Sequence, residues 1–294
     1  MEFAVVLVTY NPNLDRLRQS IVNMRMVHNI TYIIIVDNGS QNIDSIRVCC
    51  NVFAINLIHN KNNEGIGSAL NRGFHIVPSR YKWILSLDQD SIVPKNIGSE
   101  YSKYTHMQNL AIISPKIVDK RRFNRNETLE SFPYQYINQC IQSGSLYRRS
   151  VWEKMGGFNA WLFIDYVDFD YCFRIMKRHW KILRVNNVEL NQEFGELTDS
   201  QYKNVFNVLW QTTHISFFKK LTYVPNIKPW RMYYRTRNRI YCFKYLNKFQ
   251  VLLEILRLPL FYLKVLFRSH EKLKVLHQLL RGTRDGFREW GGTH

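Results

Sequence analysis

Trp83-Ile84-Leu85-Ser86-Leu87-Asp88-Gln89-Asp90-Ser91 is the segment around which the rest of the chain is organised. A short apolar run with strand character halts at two aspartates one residue apart, and Pro94 follows. Residues that alternate along a strand point to one face, so this spacing predicts that Asp88 and Asp90 aim both carboxylates at one point. Two hard oxygen ligands at a strand end suit a divalent cation that also holds the phosphates of a nucleotide. An isolated D-x-D is more often a polar turn after an edge strand. The order of the segments around it is what raises this one.

Upstream, residues 3–8 form a continuous apolar run, as expected of a strand buried on both faces, and Thr9-Tyr10-Asn11-Pro12 ends it. Residues 13–28 then show helical spacing through Leu14, Leu17, Ile21 and Met24. Residues 32–36 predict a second strand ending at Asp37-Asn38-Gly39-Ser40, and residues 52–58 a third. Asn62-Asn63-Glu64-Gly65-Ile66-Gly67 follows and opens a helix to about Val77; without a full G-x-G-x-x-G, its glycines read as a tight turn. Downstream, residues 110–114 make a fifth strand and residues 115–140 a basic loop. Ser143-Gly144-Ser145-Leu146 then leads to a short helix at 150–155 and a turn at Gly156-Gly157-Phe158. Strands alternating with helices predict an α/β fold with a parallel sheet covered on both faces. Ligands in such sheets bind beyond the carboxyl ends of the strands, where residues 9–11, 37–40 and 88–91 all fall.

A second acidic cluster, Asp165-Tyr166-Val167-Asp168-Phe169-Asp170, opens another helix. On a helix Asp165 and Asp168 would share a face. Capping and the helix dipole account for one or two of these aspartates, hardly for three beside so many aromatics. A carboxylate near other carboxylates and withdrawn from water has a raised pKa, which makes it a better general base.

Five cysteines without C-x-x-C spacing argue against a disulfide framework or a structural zinc and fit a reducing compartment. Met1-Glu2-Phe3 runs straight into a strand-like segment, so no leader is expected. No run of about 18 uncharged apolar residues predicts a membrane span. The net charge of +18 is unevenly spread, because residues 219–294 hold 17 Lys and Arg against 4 Asp and Glu. A basic C-terminal quarter points to an anionic partner, phospholipid or nucleic acid.

With both acidic clusters placed, the chain resembles the inverting nucleotide-sugar glycosyltransferases of family two, which have the GT-A fold. The resemblance spans residues 3–245. It rests on Val8-Thr9-Tyr10-Asn11, Val36-Asp37-Asn38-Gly39-Ser40, Asn63-Glu64-Gly65 with Asn71-Arg72-Gly73, Leu87-Asp88-Gln89-Asp90, and Gly156-Gly157-Phe158 leading to Asp168-Phe169-Asp170-Tyr171-Cys172-Phe173-Arg174. Phe163-Ile164-Asp165-Tyr166-Val167-Asp168, together with Arg231-Met232-Tyr233-Tyr234-Arg235 and Arg237-Asn238, is more narrowly similar to bacterial rhamnosyltransferases of O-antigen, capsule and cell-wall polysaccharide synthesis.

The resemblance implies a Rossmann-like, mostly parallel sheet flanked by helices, over residues 1–218. It implies that Thr9, Tyr10, Asn11 and Asp37 hold the base and ribose, with Asn63 and Gly65 lining the same site. Asp88 and Asp90 would form the D-x-D, Asp90 being the direct ligand of Mg²⁺ or Mn²⁺ on the diphosphate, and Asp168 would be the catalytic base. The implied donor is dTDP-rhamnose, with a UDP-hexose or UDP-galactofuranose as alternative, and the implied acceptor is a lipid-linked saccharide. One departure stands out: where relatives often carry a histidine that helps bind metal or diphosphate, this chain has Gln192. His214 is a poor substitute and reads as a packing residue.

Residues 219–294 are expected to be a basic helical extension. Residues 229–247 interleave Trp230, Tyr233, Tyr234 and Tyr241 with arginines, a mixture that suits stacking on nucleic-acid bases or a membrane interface. Residues 249–268 are apolar but interrupted by Glu254, Arg257 and Lys264, and are expected to lie on a bilayer as helix on either side of Pro259. The rival is a helical hairpin packed on the catalytic domain. The sequence therefore predicts a cytoplasmic enzyme, peripheral at the inner face of the cell membrane, and is compatible with a homo-oligomer. A non-catalytic nucleic-acid-binding protein is the reading from another class. Two aspartate clusters repel phosphate unless a metal intervenes, so no nucleic acid is expected as partner. A degenerate scaffold would rest on Gln192 alone.

Overall fold

β1 (Phe3–Thr9) is buried along its whole length, as its unbroken apolar run dictates. It belongs to the first of two units, Met1–Gln192 and Glu193–His294, of a computed structural model that describes residues 1–119, 132–192, 197–200 and 202–291. After β1 come α1 (Leu14–Arg25), β2 (Ile30–Asp37), α2 (Ile43–Val52), β3 (Asn56–His59), α3 (Ile66–Ile76), β4 (Trp83–Asp88) and α4 (Ile97–Ser102). The unit continues through β5 (Leu110–Val118), β6 (Tyr134–Ile137), β7 (Leu146–Arg148), α5 (Arg149–Lys154), α6 (Val167–Lys177) and β8 (Lys181–Asn191).

These strands form one sheet in the order β3-β2-β1-β4-β7-β5-β8-β6. The β3-β2-β1-β4 block and the β5-β8 pair are parallel, but β7 is antiparallel to β4 and β5, and β6 is antiparallel to β8. The sheet is thus mixed rather than wholly parallel.

Periodicity explains the helices. In α1, Leu17, Ile21 and Met24 point inward and Asn13 caps the start by accepting from the Arg16 N–H at 3.0 Å. The third strand is shorter and later than expected. Ile46, Cys49 and Cys50 keep helical spacing and are buried, so the helix runs to Val52, and Ala54 turns the chain at φ 45° before β3. One sheet face packs Leu17, Ile21, Met24, Ile46, Ile97 and Tyr101 over Val5, Leu7 and Leu85. Elsewhere in the unit the packing is aromatic: the Phe158 ring stands within 5.1–5.4 Å of the Phe74, Tyr147 and Tyr171 rings. Residue 73 is glycine because a Cβ there would lie 2.4 Å from Val6, so α3 seats directly on β1.

The second unit holds a two-stranded antiparallel ribbon of β9 (Leu197–Asp199) and β10 (Tyr223–Pro225), with α7 (Lys203–Thr213) and α8 (Ser216–Leu221) between them. Three longer helices follow: α9 (Pro229–Tyr241), α10 (Lys248–Phe267) and α11 (Lys272–Gly291). Gly282 and Gly286 let α11 lie against the α9 backbone, where a Cβ would come 2.5 Å from the Tyr233 carbonyl oxygen and 2.9 Å from that of Arg237. Part of the basic, aromatic stretch is therefore interior: Arg237 is buried with its guanidinium 5.0 Å from the Tyr234 ring centre, and Arg239 pairs with Glu254 at 2.6 Å. α10 runs uninterrupted through Pro259 instead of breaking there. Among the described residues no helix is long and apolar enough to cross a membrane. His214 caps α7 in a left-handed conformation and is exposed, not packed.

Candidate active site

The carboxyl ends of β1, β2 and β3 meet on one carboxylate. Asp37 is fully buried; it accepts from Thr9 Oγ1 at 3.1 Å and from the Ser40 N–H at 3.0 Å, bonds to the Ser40 hydroxyl, and has His59 Nδ1 at 2.9 Å. The Thr9↔Asp37↔His59 register across three strands sets this up. Next to it, Asn38 donates to Asn63 Oδ1 at 2.9 Å and accepts from Asn60 and the Glu64 N–H, while the Gly65 N–H donates to Asn63 Oδ1 at 3.0 Å. Tyr10 and Asn11 stand exposed above the buried residues; the Tyr10 N–H donates to Gln89 Oε1 at 2.7 Å and the Asn11 N–H to Ser40 Oγ at 2.7 Å.

β4 ends at Asp88, and Asp90 sits in the turn beyond it, exposed. The two carboxylates therefore do not alternate along a strand as expected; the Ser91 N–H closes the turn on the Asp88 carbonyl at 3.2 Å. The segment before β7 runs back along the end of β4. Its Gly144 N–H donates to the Ser86 carbonyl at 2.9 Å, and φ +77° together with Leu190 2.7 Å from any Cβ leaves room only for glycine. This delivers Ser143, whose Oγ accepts from the Asp88 N–H at 3.1 Å, and Gln142, whose Nε2 donates to Asp88 Oδ1. From the end of β8, Gln192 Nε2 donates to Asp88 Oδ2 at 2.9 Å.

α6 brings the second cluster. Phe163, Asp165 and Tyr166 all hold positive φ (63°, 60° and 66°), a costly conformation for side chains of this size. Helix begins only at Val167, so Asp165 lies outside it and does not share a helical face with Asp168. Phe163 is held by the Gly65 loop: its carbonyl accepts from the Ile66 N–H at 2.7 Å and lies 2.6 Å from where a Gly65 Cβ would be. Asp170 has a structural task, as it is fully buried and paired at 2.8 Å with Arg174, which also donates to the Met155 and Gly157 carbonyls. Asp168 remains on the first turn, partly exposed. Burial pushes its carboxyl up to about 6 and the Asp165 carboxylate adds to that, against the Phe169, Asp168 and Gln142 N–H groups. Gln142 thus meets Asp88 with its side chain and Asp168 with its backbone.

The glycosyl transferase family 2 profile matches residues 4–156, more than half of the 294 residues. The chain belongs to glycosyl transferase family 2. This glycosyltransferase is 26% identical over 207 residues to the dTDP-rhamnosyl transferase RfbF of Shigella flexneri, an alignment covering 65% of the chain and 69% of RfbF. It resembles the mannosyltransferase PcManGT of Pyrobaculum calidifontis, solved with GDP-Man and Mn²⁺, at a TM-score of 0.56 and 13% identity over 97% of the chain and 87% of PcManGT. S. aureus TarS 1–349 gives a TM-score of 0.51 at 11% identity over 100% of the chain and 92% of that TarS fragment. The fold is GT-A.

The oxygens around Asp88 and Asp90 fit a hard divalent cation. On the amides that meet the Asp88 carboxylate, Gln142 Oε1 and Gln192 Oε1 are buried and have no hydrogen-bond partner. Among the described residues no group of three or more His, Cys, Asp and Glu gathers to hold a metal ion, so any further ligands beside the two aspartates must be neutral oxygens. His59, Gln142 and Ser143 meet the candidate-site aspartates Asp37 and Asp88, and motif reading misses them. His59 had a signal, since it stands opposite Asp37 in the β2–β3 register, but the register shows only once the strand ends are known.

Proposed function

We propose that this glycosyltransferase moves a sugar with inversion, L-rhamnose from dTDP-rhamnose, onto a lipid-linked glycan acceptor in bacterial surface polysaccharide synthesis. The observation that carries the site assignment is the bridge through Gln142 between Asp88 and Asp168, carboxylates of two separate motifs 80 residues apart in sequence. The likeness to RfbF supports the rhamnosyl donor.

In this reading Tyr10 and Asn11, exposed, meet the base and ribose, while Thr9 and Asp37 anchor them from below and Asn63 and Gly65 line the same cradle. Asp90 and Asp88 would hold Mg²⁺ or Mn²⁺, which supplies neutralisation of the charge on the departing nucleoside diphosphate. Asp168 takes the proton of the acceptor hydroxyl, and that oxygen attacks the anomeric carbon from the face opposite the leaving group, which inverts the configuration. A carboxyl with its pKa near 6 suits the task, being ionised at neutral pH and more basic than an ordinary aspartate. The strained 163–166 turn fixes where α6, and so Asp168, begins.

We place the membrane-facing function in residues 219–294, against the inner face of the cell membrane. Phe249, Leu252, Leu256, Leu260, Leu263 and Phe267 are each more than half exposed and recur every three or four residues along α10. Such a stripe on a basic region suits an anionic bilayer surface. Calorimetric titration with dTDP, UDP and GDP, each with and without Mn²⁺, tests the donor. Metal-dependent binding of dTDP alone supports dTDP-rhamnose; preference for UDP keeps the mechanism and replaces the sugar by a UDP-hexose or UDP-galactofuranose; binding of none overturns the reading.

A further inference from the structure

Asp88 has an unusual pair of partners. Two neutral amides, from segments fifty residues apart in sequence, each direct an N–H at one of its two oxygens. The amides spend their donors on one carboxylate and leave both acceptors, Gln142 Oε1 and Gln192 Oε1, buried with nothing to accept from. A buried acceptor without a partner costs free energy, so two beside one carboxylate point to something that binds there. An amide differs at its two ends: the NH₂ end complements an anion, the oxygen end a cation. Rotation about the last side-chain bond exchanges the ends without moving the backbone.

We propose that Gln142 and Gln192 form a reversible amide clamp at the cation site, able to steady the Asp88 carboxylate through nitrogen and to turn oxygen to a bound cation. The inference rests on the reading that Asp88 and Asp90 bind a divalent cation with a nucleoside diphosphate. It goes further by giving the site an oxygen-only donor set in which two members are uncharged. Amide oxygen is hard and adds no charge, so the clamp admits Mg²⁺ as well as Mn²⁺ and releases either readily. A nitrogen ligand in the same place would shift preference along the divalent series away from Mg²⁺.

Both glutamines are anchored for this. The Gln142 carbonyl accepts from the Ser86 hydroxyl, and the Gln192 N–H donates to the Val118 carbonyl at 3.0 Å, so each backbone is fixed and the clamp requires only its side-chain amide to turn. Because the Gln142 N–H also meets Asp168, the clamp ties the position of the cation to that of the base. In this arrangement both glutamines are positioning residues toward Asp88 and ligands toward the cation.

The test is direct cation binding by the full chain, read by the Mn²⁺ electron paramagnetic resonance signal and by calorimetry with Mg²⁺, in the presence of dTDP or UDP, whichever binds wild type. Gln192→Met and Gln142→Met keep the side-chain length and remove the oxygen, and each is expected to weaken Mn²⁺ about tenfold, the order of effect seen when groups around metal ligands are lost. Circular dichroism confirms folding of each variant. Gln192→Glu distinguishes the clamp from a purely structural amide: as a cation ligand it tightens Mn²⁺ and Mg²⁺ together, whereas a group needed only as a donor to Asp88 loses affinity on that change. Gln192→His is expected to raise the Mn²⁺ to Mg²⁺ affinity ratio about tenfold. Wild-type binding that none of these changes alters overturns the clamp and leaves the cation site standing. Absence of any cation binding in wild type removes the cation site and the clamp with it.

Discussion

At the scale of single residues, Asp168 carries the most definite expectation. Its folded pKa of about 6 lies above the ordinary value of 3.8, chiefly through burial. As the base it must be ionised, so kcat/KM is expected to fall about tenfold per pH unit below 6 and to level off above it, measured across pH 4.5 to 8. The stability effect runs the other way. A raised carboxyl pKa means the folded chain binds its proton more tightly than the unfolded chain, so stability present below pH 3.8 is lost as pH rises through about 6. Asp168→Asn should therefore raise the thermal midpoint at pH 7.5 while leaving it nearly unchanged at pH 4. Asp37 makes the complementary case. Thr9→Val keeps the shape of the side chain but removes a hydroxyl from a buried carboxylate, which should cost about 1–3 kcal/mol in urea denaturation. These residues differ in how far the sequence announces them. Asp37, Asp88 and Asp168 stand in recognisable motifs. Gln142 and Ser143 do not, because only the antiparallel return along β4 brings them to Asp88, and nothing local in their sequence encodes that pairing.

At the scale of elements, the glycine at the head of α3 and the strained turn before α6 are one device. Gly65 at φ +86° backs onto Phe163, and Gly65→Ala would force the two backbones apart. Nucleotide affinity and transfer should both drop at least tenfold, with a loss of stability of about 1–3 kcal/mol from the strained φ alone. If Gly65→Ala binds nucleotide as wild type does, the loop does not line the cradle. Burial periodicity made β1, β2, β4 and α1 legible, since each is a run whose apolar pattern admits one element type. The third strand was misplaced because Val52 ends a helix whose inner face, Ile46, Cys49 and Cys50, is as apolar as a strand. The antiparallel insertion of β7 was not legible, because a three-residue strand carries no directional signal of its own.

At the scale of the whole molecule, charge and apolar surface distinguish the second unit. Its α9 and α11 are fastened through Gly282 and Gly286, and Gly286→Val should lower the unfolding midpoint by crowding the Arg237 carbonyl. The stripe on α10 leads to a separate expectation. Changing Leu256, Leu260 and Leu263 together to Glu should abolish sedimentation with phosphatidylglycerol vesicles without altering nucleotide affinity, and wild-type sedimentation should weaken at high salt. Equal sedimentation of the triple variant would remove α10 from the membrane-binding surface. The basic excess was plain in the composition, but its division was not: Arg237 and Arg239 are engaged within the unit, a fact that depends on helix packing rather than on the charge count.

In the proposed reaction Asp168 is the base of an inverting transfer whose donor is held at Asp88 and Asp90. The most direct measurement pairs sugar transfer with calorimetric nucleotide binding, both in the presence of Mn²⁺, for wild type and Asp168→Asn. Loss of the Asp168 carboxylate is expected to lower transfer about a thousandfold, near the middle of the range for general-base catalysis, with nucleotide affinity within twofold of wild type. Transfer retained at more than a tenth of the wild-type rate would contradict it.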